Sequence, residues 1–282
     1  MLLTRVLTAL VLLPVVLGMT FFASAPLWSL FALAIALGAC WEWSRMCELS
    51  PGAQSLYLLA SGAIGAYLWL LSMRMVPGNF AAAALTAFIL AAVFWIALAP
   101  WWLARRARPS ASTRAAAGWL VVWPTWFALV VLRETSPWLL LAVAALVWIA
   151  DTAAYFAGKR FGKHKLAPAI SPGKTWEGVV GGMAGAVVYG AVLAWVAHRW
   201  DTPISAYFVP GAGIPAIVVL VCLTALSIVG DLLESWMKRG VGMKDSSNLL
   251  PGHGGLLDRI DSLTATLPLA AFAVFLVQRS GA

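Results

Sequence analysis

The chain has 282 residues, of which 62% are hydrophobic and only 11% are charged, and its mean hydropathy is +0.89. Ordinary soluble domains are about 25% charged, so this composition excludes a soluble globular protein and indicates an integral membrane protein. The net charge of +8 does not indicate nucleic-acid binding, because a basic excess in so apolar a chain is typical of one membrane face. The three cysteines lack the spacing of a zinc site or a disulfide framework.

Nine membrane-spanning helices are predicted, because each apolar run approaches the ~20 residues that cross a bilayer. Charged or Pro/Gly-rich stretches separate the runs, which are rich in Ala and Leu and lack the alternation of strands. The expected fold is therefore an all-α, polytopic helical bundle. The predicted spans are 6–23, 27–44, 54–73, 80–101, 117–133, 137–158, 178–197, 213–237 and 262–279.

The first predicted span resembles a signal peptide, because Arg5 precedes its apolar run and Ala23-Ser24-Ala25 follows it. The apolar run is long for a cleaved segment, so we expect the helix to be retained. Cleavage would leave the sidedness of every later loop unchanged.

Basic residues are concentrated on one side of the predicted bundle. Nine spans place the N-terminus on the same side as the loops near 45–53, 102–116, 158–177 and 238–261, and this side carries 15 of the 19 Lys and Arg residues. The opposite side carries the other four: Arg74, Arg133, Arg199 and Arg279. Cytoplasmic loops are enriched in Lys and Arg, so the prediction is a cytoplasmic N-terminus.

Acidic residues are also unevenly placed. Seven of the eleven lie in or beside the loops 158–177 and 238–261, which also hold nine Lys and Arg residues, His164 and His253. A contact with anionic lipid would need only the cations. Carboxylates mixed with cations at membrane depth therefore predict a site for a metal ion and a polyphosphate.

The first of these loops offers phosphate ligands. The segment SPGKT at 171–175 ends like a P-loop, but Pro168 stands where the first glycine is required, and no strand is predicted before it. Ser171, Lys174 and Thr175 could still hold phosphate oxygens. The alternative is a helix start capped by Ser171 with Pro172 in the first turn. Asp151, which precedes the loop, could be a ligand or a polar residue in helix packing.

The second loop is flanked by two polar stripes. Asp231, Ser235 and Lys238 fall on one helical face, and Asp258 and Asp261 are three residues apart on another. Two helix ends can thus present three carboxylates to one point. Mg²⁺ binds carboxylates together with phosphate oxygens, which suits this arrangement. Salt bridges from Arg239 or Arg259 to these aspartates are the structural alternative.

The segment 235–261 carries S-x-x-K-R, then K-D, then H-G-G-x-x-D-R-x-D, and the upstream segments D-x-x-A-Y, F-G-K and S-P-x-K-T-x-E-G precede it. These motifs resemble those of the phosphatidate cytidylyltransferases, the CDP-diacylglycerol synthases, over roughly residues 148–265. The resemblance implies that CTP and phosphatidate react to give CDP-diacylglycerol and pyrophosphate in phospholipid biosynthesis. Residues 1–100 carry spans without a recognised motif, and 101–282 would form the catalytic region.

The resemblance also implies roles for individual residues. Asp231, Asp258 and Asp261 would hold Mg²⁺, with a second cation left open, and Lys238, Arg239 and Lys174 would contact phosphates. Ser235 and His253 would be nearby polar contacts, and Asp151 a further carboxylate. The remaining members of the expected substrate-binding set are Ser171, Lys244 and Arg259. The site would face the cytoplasm from a bacterial inner membrane, without nucleic acid, and a homodimer is suggested.

Two rival functions share features of this sequence. A cation-coupled transporter would also bury acids, but its charges should lie near the membrane midplane, and here they crowd one face. A CTP-dependent lipid-alcohol kinase would share much of the site, although the complete motif disfavours it. The D-G-x-x-A-R motif of the CDP-alcohol phosphotransferases is absent.

Overall fold

The computed structural model describes residues 2–106, 108–200, 202, 205 and 213–280. Residue 1 of the N-terminal region 1–100 and residues 281–282 of the predicted catalytic region 101–282 lie outside the described residues. The described helices are α1 (Leu2–Phe22), α2 (Ala25–Arg45), α3 (Pro51–Ser72), α4 (Phe80–Val93), α5 (Ala99–Arg105), α6 (Ala111–Thr135), α7 (Pro137–Phe161), α8 (Trp176–Arg199), α9 (Gly213–Gly240) and α10 (Leu257–Ser280). A π-helical segment, Phe94–Leu98, joins α4 to α5.

The predicted helical bundle is confirmed. Among the described residues, nine helical segments are long and apolar enough to cross a membrane, and each coincides with one predicted span. The fourth span, Phe80–Arg105, combines α4, the π-helical segment and α5. Pro100 lies just after the π-helical segment and lacks an N–H donor, so a widened turn there is a local response to the missing hydrogen bond.

Helix α6 forms the centre of the packed core. Trp126 is fully buried on it and donates through Nε1 to the Ser29 backbone oxygen at 3.1 Å, while Trp43 Nε1 donates to the Arg114 backbone oxygen at 2.8 Å. These bonds satisfy the polar end of each indole inside an apolar core. Helix α2 is thereby fixed against α6.

The loop between α7 and α8 contains a β-hairpin that was not predicted, and the phosphate contacts expected of Ser171, Lys174 and Thr175 stay a prediction. The short antiparallel hairpin consists of β1 (Lys165–Ala167) and β2 (Ser171–Thr175), in which Lys165 pairs with Thr175. The alternative of a helix capped by Ser171 is wrong, because α8 begins at Trp176 and Thr175 Oγ1 accepts from Gly178 N at 3.1 Å. The hydroxyl of Thr175 therefore fixes where the strand ends and the helix begins.

Helices α7 and α8 approach closely through small residues. A Cβ at Gly185 would lie 2.7 Å from the Ala153 Cβ, so only glycine allows this separation. The hairpin is therefore held at the end of a tightly packed helix pair.

Candidate active site

The candidate site lies where four helix ends meet at one end of the bundle. Helices α7 and α9 reach this end with their C-termini, and α8 and α10 begin there. The hairpin β1–β2 connects α7 to α8, and the segment 241–256, called here the signature loop, connects α9 to α10.

The hairpin delivers a lysine to helix α9. Lys174 Nζ lies 2.7 Å from Asp231 Oδ2, and both side chains are partly exposed. Ser235, one turn further along α9, donates to Asp231 Oδ1 at 3.2 Å. The predicted phosphate ligand Lys174 and the predicted metal ligand Asp231 are therefore brought together as an ion pair.

A second lysine is buried between α9 and α10. Lys238 Nζ forms ion pairs with Glu234 on its own helix and with Asp258 on α10. The side chains of Glu234 and Asp258 are only 3% and 5% exposed. Glu234 and Lys238 lie one helical turn apart, so this ion pair is formed within α9. Glu234 was not among the predicted site residues, although its position on the same helical face as Asp231 and Lys238 was a usable signal.

Asp261 lies where α9 and α10 cross most closely. A Cβ at Gly230 would lie 2.7 Å from the Asp261 backbone oxygen, so glycine permits the crossing. The charged groups near Asp261 include Asp231, Lys238 and Lys174. Asp231 and Lys174 are also the charged neighbours of Asp151 on α7.

These groups form a carboxylate cluster with too few cations to balance it. Five carboxyl groups meet the ammonium groups of Lys174 and Lys238, so negative charge is in excess when all are ionised. Because the side chains of Glu234 and Asp258 are almost inaccessible to solvent, this excess is costly there without a further cation. The cluster consists of Asp151, Asp231, Glu234, Asp258 and Asp261.

The signature loop is folded around Asp258. One Asp258 oxygen accepts from Ser246 N at 2.9 Å, Ser246 Oγ at 3.1 Å and Gly255 N at 2.7 Å, and the other accepts from Lys238. Gly254 has a φ of +82°, and a Cβ there would lie 2.8 Å from Asp258 Oδ2. The consecutive glycines of the H-G-G motif therefore let the backbone wrap closely around this carboxylate.

Glu42 on α2 holds the same loop from the other side. Its fully buried carboxylate accepts from Ser247 Oγ at 2.5 Å, Leu256 N at 2.8 Å and Leu257 N at 2.6 Å. It also lies 2.9 Å from Ser246 Oγ, whose single hydroxyl proton it shares with Asp258. A Cβ at Gly255 would lie 2.6 Å from Glu42 Oε1. The carboxylate therefore satisfies amide donors at the start of α10, where the helix dipole favours negative charge.

Glu42 was not predicted as a site residue, because residues 1–100 carry no recognised motif. The available signal was an acid inside an otherwise apolar span, since such residues are expensive and usually functional. Two further contacts tie the N-terminal helices to the loop: Arg5 Nε donates to Gly252 O at 2.9 Å, and Arg45 donates to Ser246 O at 3.0 Å.

The remaining predicted residues lie around the cluster with other contacts. Arg259 donates to His253 O at 3.0 Å, and Arg239 donates to Met243 O at 3.2 Å, so neither makes the alternative salt bridge to an aspartate. Lys244 is exposed in the signature loop, and Ser171 lies at the end of β2 away from Lys174. The His253 Nδ1 atom is buried without a hydrogen-bond partner.

The cluster fits a divalent cation held by few protein ligands. Within the described residues, no three acidic, histidine or cysteine side chains already surround one point. Mg²⁺ is usually bound by one or two carboxylates together with substrate phosphates, and the neighbouring Asp231 and Asp261 match that pattern. Asp258 already accepts four hydrogen bonds, so its role as a third ligand stays a prediction.

A bundle of membrane-spanning helices with carboxylates and lysines gathered at one end has the architecture of a polytopic membrane enzyme. The profile of the cytidylyltransferase family matches residues 3–277, and the chain belongs to that family. The phosphatidate cytidylyltransferase of Pseudomonas aeruginosa is 41% identical over 276 residues, covering 96% of each chain. That of Haemophilus influenzae is 35% identical, covering 98% of this chain and 100% of the relative. That of Brucella suis is 37% identical, covering 94% and 90%.

Proposed function

We propose that this chain is a phosphatidate cytidylyltransferase, which transfers CMP from CTP to phosphatidate and releases pyrophosphate. The observation that carries this function is the full-length similarity to enzymes of that name. The carboxylate cluster with its two lysines supports it, because the reaction brings two phosphate-rich substrates together at a membrane surface.

The chemistry requires positioning and charge neutralisation more than proton transfer. A phosphate oxygen of phosphatidate forms a bond to the α-phosphorus of CTP, and the bond from that phosphorus to the bridging oxygen breaks as pyrophosphate leaves. The attacking oxygen is already anionic, so a general base is not obligatory. Lys174 and Lys238 supply fixed positive charge beside the reacting phosphates, and Ser235 orients Asp231.

The proposed cofactor is Mg²⁺, with Asp231 and Asp261 as the principal ligands. When bound, such an ion neutralises charge on the phosphate oxygens and favours departure of pyrophosphate. If Asp231 held the ion, its contact with Lys174 would be given up and this lysine would be able to contact a phosphate. The glutamate and aspartate that hold Lys238 would keep that second cation in place.

We further propose that the site faces the cytoplasm from the bacterial inner membrane, as the 15 to 4 charge distribution indicates. Single cysteines at Ser112 and Asn248, both exposed, should resist a membrane-impermeant thiol reagent in intact cells lacking the three native cysteines. Both should react after the cells are permeabilised. Ready labelling from outside would reverse the proposed orientation. A homodimer stays a prediction.

Labelled CTP distinguishes this reaction from that of a lipid-alcohol kinase. With phosphatidate as acceptor, label at the α-phosphate should enter the lipid fraction, and label at the γ-phosphate should appear in pyrophosphate. A kinase would instead move the γ-label into lipid and release CDP. Transfer of the γ-label would exclude the proposed function, and absence of any CTP-dependent labelling would reopen the transporter interpretation.

A further inference from the structure

A second charged feature lies beside the carboxylate cluster, on the other side of helix α9. It is a cavity of about 250 Å³, named here the arginine cavity, with walls that include the apolar residues Ile170 and Trp236. Four arginines line it, from the C-cap of α5, the segment before α6, α6 itself and α9: Arg106, Arg108, Arg114 and Arg239.

The charges of the arginine cavity are only partly balanced. Arg108 and Arg114 both lie 2.8 Å from Glu48 Oε2, and Arg108 also donates to the Gly240 backbone oxygen. The hydrogen bond from Arg114 lowers the pKa of Glu48, which keeps this carboxylate ionised. One carboxylate thus pairs with two of four arginines. Arg106 and Arg239 leave the cavity with an excess of positive charge.

The arginine cavity and the carboxylate cluster are both formed partly by helix α9 and by the hairpin segment. On α9, Lys238 turns towards Asp258 while the next residue, Arg239, lines the cavity. In the hairpin segment, Ile170 lines the cavity while Lys174 contacts Asp231. Helix α9 and the hairpin segment therefore each contribute residues to both the cavity and the cluster.

The size and chemistry of the cavity suit a phosphate group. Sites for whole small molecules usually enclose about 300–1,000 Å³, so this volume is too small for a nucleotide and sufficient for one or two phosphates. Guanidinium groups bind phosphate through paired, charge-assisted hydrogen bonds. An anion would also relieve the mutual repulsion of the arginines.

We propose that the arginine cavity is a phosphate subsite, which binds a phosphate group of one substrate during the transfer reaction. This inference rests on the proposed function, and it adds Arg106, Arg108 and Arg114 to the residues that contact substrate. The phosphate belongs either to the nucleotide, and then to the pyrophosphate that leaves, or to the lipid headgroup. Both sources would present a phosphate group to the arginines, and the following experiment distinguishes between them.

Arg106→Gln and Arg239→Gln are compared with Arg105→Gln, a matched control that removes an exposed arginine from the same stretch, outside the cavity lining. Loss of one charge-assisted contact should raise the KM of one substrate about 10- to 100-fold, with a smaller change in kcat. A rise for CTP, with weaker inhibition by pyrophosphate, assigns the cavity to the nucleotide. A rise for phosphatidate alone assigns it to the lipid.

Unchanged KM values for both substrates in both variants, or an equal change in Arg105→Gln, would overturn the subsite. Equilibrium binding of labelled pyrophosphate, and of vesicles containing phosphatidate, needs no turnover and is measured on the same proteins. Weaker binding of either probe in Arg106→Gln and Arg239→Gln alone supports the cavity even if no transfer is observed. If the wild-type protein were inactive but still bound a probe more tightly than the two variants, the result would count against the proposed function and would still support the subsite.

Discussion

Asp231→Asn and Asp261→Asn are each expected to lower kcat at least about 100-fold while the protein still inserts and folds. Each change removes a charge from the carboxylate cluster but keeps the size of the side chain. Neither carboxylate is required by the signature loop, since Asp231 contacts Lys174 and Ser235, and Asp261 Oδ1 accepts from Ser262 N at 2.7 Å. Steady-state assays across a range of Mg²⁺ concentrations should also show a higher half-activating concentration.

Glu134→Gln is a suitable control, because it removes one exposed negative charge near the far end of α6. It should leave kcat and the Mg²⁺ response unchanged. Near-normal turnover of both aspartate variants at saturating Mg²⁺ would contradict the metal assignment. The two carboxylates would then serve only as partners of the lysines.

Asp258→Asn should behave differently from the other two variants. One carboxylate oxygen accepts three hydrogen bonds from the signature loop and the other accepts from Lys238, so either orientation of an asparagine amide would set its NH2 group against donors. Loss of thermal stability together with activity is therefore expected for Asp258, and loss of activity alone for Asp231. This contrast would distinguish Asp258, which fixes the fold of the loop, from Asp231, which is proposed to bind the metal ion.

The span pattern could be predicted from the sequence because the bilayer imposes a simple physical requirement. Each helix needs about 20 apolar residues, and charged ends such as Arg45 and Arg105 mark where it stops. The motif spacing also placed Asp231, Ser235 and Lys238 on one face of α9, as observed. Local periodicity and hydrophobicity were sufficient for both inferences.

Partners distant in sequence could not be predicted in this way. The ion pair of Lys174 with Asp231, 57 residues later, was not predicted, because it forms only when the hairpin folds back onto α9. The hairpin itself was missed because Pro172 and Gly173 in SPGKT suggested a turn or helix start. The four-arginine cavity combines α5, α6 and α9, and only their packing reveals it.

Glu42→Gln is expected to lower both thermal stability and kcat, although Glu42 lies about 200 residues before the signature motif. Its oxygens accept from the Leu256 and Leu257 amides, so either orientation of a glutamine amide would set an N–H against a backbone N–H. Hydrogen bonds to a buried charge contribute about 1.5–3 kcal/mol each, and at least one would be lost and replaced by repulsion. The unfolding midpoint in detergent should fall by several degrees.

The decisive measurement on Glu42→Gln is made well below its unfolding midpoint, where the variant is folded. Because the carboxylate fixes the start of α10, which carries Asp258 and Asp261, displacement of that helix should lower kcat about 10-fold or more. It should also raise the Mg²⁺ concentration required for half-activation. Glu134→Gln should change neither value, and Glu42→Asp, which keeps the charge, should recover part of both. Wild-type kcat and Mg²⁺ response in folded Glu42→Gln would show that the contact stabilises the bundle without positioning the site.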